Sequence, residues 1–148
     1  PVMQPLLAAS ASLKPTPAEI AWTRDSFLDL MRIRASTTLF RLRTAADVAR
    51  RLSFPNSGAD QKASVVVGHL DGEGLAGANF RELLYAVNAS SQAQTLSIDA
   101  LKGRPFTLHP VHRAAQAADV RVREASVDTA AGRLTVPART ALVLVLPD

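Results

Sequence analysis

Cysteine is absent from the 148 residues. That excludes a disulfide scaffold, a thiolate nucleophile and a Cys-based zinc site, and it leaves the redox compartment open. Aromatic residues are scarce, at 5%. A platform that stacks bases or sugar rings needs flat side chains in rows, and Trp22 and Tyr85 stand alone of their kinds. Acidic residues number 13. Glycoside hydrolysis needs two carboxyls facing one bond, yet Asp25 and Asp29 read as a solvated pair one helical turn apart, and no pair is placed in a cleft. Long apolar runs are missing too. The longest, Ala141 to Leu146, is far too short to cross a bilayer, so a soluble chain without a membrane partner is expected. No Walker sequence, dinucleotide fingerprint or G-x-S-x-G elbow occurs. No cationic stretch followed by an apolar run opens the chain, which starts at Pro1 and reads as trimmed from something longer.

What is present is an Arg-rich globular composition. Hydrophobic residues make up 47%, charged residues 20%, and the net charge is +4. The cations (Arg41, Arg43, Arg50, Arg51, Arg121, Arg123, Arg133) are scattered without interleaved aromatics. They therefore read as a solvated face rather than a nucleic-acid surface.

Residues 1–51 carry helical signals and residues 52–148 mostly strand signals. Val2 to Ala9 reads as a short helix and Ala9 to Pro15 as a loop. Thr16, Pro17 and Glu19 form a capping box with proline at the first helical position, which predicts a helix to about Arg34. Ile20, Phe27 and Met31 share one side of it, and Trp22 and Ile33 the opposite side. A helix apolar on two sides is buried between two bodies. Thr44 and Asp47 open a second, shorter helix. Strands are predicted at Leu52–Phe54, Ser64–Leu70, Leu83–Asn88, Thr95–Ile98, Phe106–His109, Val120–Arg123, Arg133–Pro137 and Thr140–Leu146. The last is apolar throughout and must be covered on both faces. Many short strands with turns between them indicate an antiparallel β-sandwich. Its expected core is Val65, Val67, Leu84, Val87, Leu134, Val136, Leu142 and Leu144.

Three motifs invite a chemical reading. His109 and His112 could share a metal on a helix, but Pro110 argues against one and no third ligand is near. His69, within an apolar strand, reads as a hydrogen-bonded or edge residue. Asp71-Gly72-Glu73-Gly74 has the flavour of a calcium loop, but it lacks the alternating oxygens and terminal Glu of the EF-hand pattern. It reads as a plain connection.

Several stretches resemble the C-terminal region of pullulanase-type α-1,6-glucosidases, a group that includes limit dextrinases. Phe27-Leu28-Asp29-Leu30-Met31-Arg32-Ile33-Arg34-Ala35-Ser36 and Leu39-Phe40-Arg41-Leu42 look like the family's last barrel helix and its exit. Leu52-Ser53-Phe54-Pro55-Asn56-Ser57-Gly58-Ala59-Asp60-Gln61 resembles the entry to the first C-terminal strand. Val87-Asn88-Ala89-Ser90, Gln94-Thr95, Phe106-Thr107-Leu108-His109-Pro110-Val111 and Val136-Pro137-Ala138-Arg139-Thr140 follow in the family's order. Ala59 stands where proline is expected, and Gly77–Arg81 lacks an Asp-rich form.

The resemblance implies a mainly β fold, an antiparallel sandwich over 52–148. Residues 1–51 are then a helical segment left from a catalytic barrel that precedes Pro1. Parents of this kind hydrolyse α-1,6 branch bonds of starch-like glucans by a retaining mechanism with two carboxyls. No catalytic residue, metal or cofactor is implied for any position here. The expected partner is the parent's own barrel, through Ile20, Trp22, Phe27, Met31 and Ile33, with Trp22 and Ile33 toward the barrel and the other three toward the sandwich. An α-glucan would be met through the parent. A glucan-binding module and a protein–protein module are the alternative readings.

Overall fold

The computed structural model describes residues 3–59 and 61–147. The chain opens with α1 (Met3–Ala8), α2 (Ser10–Leu13) and α3 (Pro17–Ala35), then one 3₁₀ turn at Leu39–Arg41 and α4 (Ala45–Arg51). Eight strands follow among the described residues: β1 (Leu52–Ser53), β2 (Val65–Asp71), β3 (Glu82–Asn88), β4 (Gln94–Ser97), β5 (Thr107–Leu108), β6 (Ser126–Asp128), β7 (Arg133–Val136) and β8 (Thr140–Leu146). A helical turn, α5 (Pro110–Arg113), falls between β5 and β6.

Local chemistry sets these boundaries. At the start of α3, Thr16 Oγ1 accepts the Glu19 N–H at 3.2 Å and the Glu19 carboxylate accepts the Thr16 N–H at 2.7 Å. Both orphan donors are thereby satisfied, and Pro17 sits where its missing N–H costs nothing. Two expectations fail. Ser10–Leu13 is a helical turn rather than loop, in keeping with the alanine-rich stretch around it. Val120–Glu124 is 3₁₀ helix rather than strand, because the Asp119 side chain accepts the Arg121 N–H and turns the chain.

The strands form two antiparallel sheets, β1-β2-β3-β8-β5 and β4-β7-β6. Between them lie Val65, Val67, Leu84, Ala86, Leu96, Leu134, Val136, Leu142 and Leu144, all buried. Asn88 stitches the sheets together, its amide donating to Val136 O and Pro137 O at 3.2 and 3.0 Å.

The five-stranded sheet is apolar on its outer face as well. Leu70, Leu83, Val143 and Val145 pack there against Ile33 of α3 and Leu39 of the 3₁₀ turn. The molecule is thus three layers: helical segment, large sheet, small sheet. Tyr85, also on the outer face, lies across Gly68, where any Cβ would fall on its ring, and it tilts against Phe40 with centroids 6.0 Å apart.

Val87 departs from its expected place. It points outward and is 42% exposed, whereas its neighbours on the strand, Ala86 and Asn88, point inward. Seven of the eight expected core residues are buried. Leu84 and Val87 are three residues apart and so lie on opposite faces of β3; the outer face is covered at Leu83 but not at Val87. Leu83→Ala should therefore cost about 2–5 kcal/mol and Val87→Ala within about 1 kcal/mol. Urea unfolding of the matched variants checks this, and equal costs would mean that the outer face is covered along its whole length.

Candidate functional site

α3 presents two different sides. Toward the sandwich it turns Trp22, Ser26, Asp29 and Ile33, a strip continued by Ser36 just past its end. Trp22 Nε1–H donates to Ala118 O at 3.1 Å, and the Arg121 guanidinium lies 5.1 Å from the centre of its ring. Asp29 is buried; it accepts the Ala118 N–H at 2.9 Å and Arg32 Nη1–H at 2.7 Å. Ile33 is 2% exposed. Ser36 Oγ–H donates to Ile33 O, and Asn79 Nδ2–H donates to Ser36 O at 2.7 Å. Asn79 takes a left-handed φ of 58° to reach it, a conformation asparagine tolerates.

Away from the sandwich, Ile20 is 56% exposed, Phe27 61% and Met31 42%, with Leu28 exposed beside them, while Leu30, also exposed, sits at the edge toward the large sheet. The sides are thus exchanged relative to the sequence expectation. Ile33 belongs to this chain's own core, Trp22 is 43% exposed but hydrogen-bonded to Ala118 O, and Ile20, Phe27 and Met31 form the open strip. The cause is the polar Ser26 and Asp29 on the docked side. The surface they meet offers backbone N–H and C=O groups, so that side is the less apolar one. Asp29 is correspondingly not the solvated residue its spacing from Asp25 suggested.

His109 and His112 lie in this seam, both buried. Pro110 does not prevent a helix there: as the first residue of α5 it has no N–H to lose. His109 Nδ1 accepts the Val111 N–H at 3.2 Å, so its proton is on Nε2, which donates to Ser36 Oγ at 3.0 Å. The Phe80 ring packs against the imidazole with centroids 5.4 Å apart. Burial first, then the nearby His112 and Arg113, lower its pKa from 6.5 to about 4. Burial likewise lowers that of His112. His112 Nε2 and Ser26 Oγ are buried without partners and line one cavity of about 50 Å³ with Asp29 and Asp119. A space of that size holds a water or two and no sugar ring. Both carboxylates are committed, Asp29 as above and Asp119 to the guanidinium and N–H of Arg121.

The remaining candidates are also engaged within the fold. His69 Nε2 meets the Glu82 carboxylate at 2.6 Å, and Arg104 pairs with the other carboxylate oxygen. In the Asp71–Gly74 loop the carbonyls of Asp71 and Glu73 accept Nη1–H bonds from Arg51 at 3.0 and 2.8 Å. A guanidinium, 5% exposed, thus stands where a bound cation would, and Arg51 is not the surface residue that its place in a doublet suggested. Among the described residues no group of three His, Asp or Glu could hold a metal ion, and no helix is long and apolar enough to cross a membrane.

The stability of the seam should depend on pH. Because His109 is held near 4 in the fold against 6.5 in the open chain, unfolding takes up a proton between those values. Its contribution is complete above about pH 6.5 and is lost as pH falls toward 4. The loss is at most about 3 kcal/mol. His109→Gln should flatten that part of the stability profile, measured by urea midpoints from pH 4 to 7. An unchanged slope would remove His109 as its source.

The sequence and the fold are similar to those of known proteins. The family described as alpha-1,6-glucosidases, pullulanase-type, C-terminal, matches residues 1–147. The chain is similar to Pullulanase 1, chloroplastic, of Arabidopsis thaliana, 36% identical over 152 residues that cover 98% of this chain and 15% of that protein. It is 32% identical over 139 residues to a pullulanase of Klebsiella pneumoniae, covering 90% of this chain and 12% of that protein. The solved structure of Klebsiella pneumoniae pullulanase complexed with maltotriose matches with a TM-score of 0.78 and 30% identity over 90% of this chain and 13% of that one. The chain thus spans 15% or less of the curated relatives it matches. By its sequence and by its antiparallel two-sheet fold, the chain belongs to the C-terminal region of the pullulanase-type α-1,6-glucosidases.

Proposed function

We propose that this chain is the non-catalytic C-terminal domain of a longer α-1,6-glucosidase and that the open strip of α3 seats on the catalytic barrel. Residues 1–51 then close the barrel and connect it to the sandwich of 52–148. The parent, not this domain, acts on the α-glucan. The observation that carries this reading is α3 itself: one side is bonded to the sandwich, while the other leaves Ile20, Phe27 and Met31 in water. Each large apolar side chain so exposed forgoes about 1.5–3 kcal/mol, which a covering body would recover. The lengths of the relatives supply room for such a body.

The chemistry agrees with a supporting role. Many of the described carboxylates are tied to cations or helix caps, as in Asp25 to Arg24, Asp47 to Thr44 and Asp128 to Arg133. The exposed aromatics do not make a row: Phe27 is on α3, Phe54 follows β1, and Trp22 lies under Arg121. Among the described residues neither a hydrolytic pair nor a sugar platform is offered.

The 148-residue chain should release no reducing sugar from pullulan. It should also bind maltooligosaccharides more weakly than tens of micromolar, about −6 kcal/mol, by calorimetry. In the longer protein, Phe27→Ser with Met31→Ser should lower the thermal midpoint, while the same pair leaves the midpoint of the 148-residue chain unchanged. Equal shifts in both would mean that the strip meets no other body.

A further inference from the structure

Of the exposed arginines among the described residues, four carry an acidic partner: Arg24 with Asp25, Arg32 with Asp29, Arg50 with Asp47 and Arg133 with Asp128. A second set does not. Arg34 and Arg43 have no hydrogen-bond or ion-pair partner among the described residues, and Arg41 donates only to the Thr37 carbonyl, at 3.3 Å. These three line a single groove of about 700 Å³ between the end of α3, the 3₁₀ turn and the loop at Leu75–Ala76. Arg81, Arg113, Arg123 and Arg139 also lack acids, but none of them lines this groove. Its one carboxylate, Asp47, accepts Thr44 Oγ1–H and lies 3.5 and 3.8 Å from Arg50 and Arg51. Three permanent cations therefore face one concave surface without a countercharge of their own. Phe40, Leu42 and Leu75 give that surface apolar parts.

The groove adjoins the open strip of α3. Arg34 lies one turn beyond Leu30 and Met31, and with Leu30 it also lines an apolar hollow of about 290 Å³ over Tyr85 and Val87. Protein interfaces put apolar side chains at the centre and charge at the rim, where complementary charge fixes register and orientation. Arginine suits such a rim, because its planar fork pairs bidentately with carboxylates and does not titrate.

We propose that the groove receives an acidic segment of the longer protein's preceding part. Aspartate or glutamate side chains lie on Arg34, Arg41 and Arg43, and the segment's aliphatic atoms rest over Phe40 and Leu42. A groove of this volume with apolar walls suits a length of chain better than a single oxyanion. The inference rests on the proposed seating of α3 against a barrel, and it names the chemistry of the partner at one end of that contact.

The test uses the longer protein carrying Arg34→Lys, Arg41→Lys and Arg43→Lys. These changes keep the charge and admit zero-length carbodiimide cross-links to facing carboxylates. Peptide mapping should find cross-links from positions 34, 41 or 43 to Asp or Glu preceding Pro1, absent from the wild type. Arg34→Gln with Arg41→Gln and Arg43→Gln should make the thermal midpoint of the longer protein less dependent on NaCl between low and high salt. If neither effect is found while Phe27→Ser with Met31→Ser still lowers that midpoint, the acidic segment is overturned and the seating of α3 stands. If that pair is silent as well, both readings fall. Saturable binding of inorganic phosphate by the 148-residue chain, abolished by the three Gln changes, would give the groove to a small anion and also overturn the proposal.

Discussion

The two strands at the middle of the large sheet are apolar on both faces, and the rest of the structure answers to that constraint. On the inner face, Leu84 and Ala86 of β3 and Leu142 and Leu144 of β8 are covered by the small sheet. On the outer face, Leu83, Val143 and Val145 need a second cover, which no strand supplies. Ile33 and Leu39 provide it, each burial of this kind being worth about 1.5–3 kcal/mol. The end of α3 and the turn after it are therefore part of the sandwich's own core.

A cover of this kind must also settle its polar groups. Thr37 Oγ1–H donates to Ala78 O, the Thr38 N–H to Gly77 O, and Thr38 Oγ1–H to Ala76 O. Asn79 and His109 close the other side of the seam through Ser36. Arg51 does the same at the far end of the connector, holding the Asp71–Gly74 loop by its carbonyls. The segment from α3 to α4 is thereby stitched to the β2–β3 connection at both ends. What it leaves unmatched is the outward strip of α3, and that contrast gives the helix its meaning.

Much of this was legible in the sequence. The reciprocal cap of Thr16 and Glu19 is a local pattern and marks the start of α3. The unbroken apolar run of β8 announces a strand covered on both faces, and the turn residues between runs announce a two-sheet fold. What the sequence hid depends on partners far along the chain. Asp29 looks solvated until Ala118 brings its N–H. Arg51 looks like one of a surface doublet until the carbonyls of Asp71 and Glu73 close over it. The docked side of α3 is polar enough to pass for the outer one, so counting apolar residues chose the wrong side. His109 is silent as a letter, since its neutral state comes from burial in the seam and from the nearby His112 and Arg113.

The order of strands has a kinetic meaning. β8 comes last among the strands in chain order, yet it lies between β3 and β5 in the large sheet. β3 therefore waits, apolar on both sides and unpaired along one edge, until the whole stretch that builds the small sheet has been made. Pairings that span so much chain are slow to close, and waiting apolar edges are where aggregation begins. The large sheet and the cover on its outer face are accordingly completed only when the last strand has been made. A chain stopped before Thr140 would lack the middle of its sheet, not merely its end.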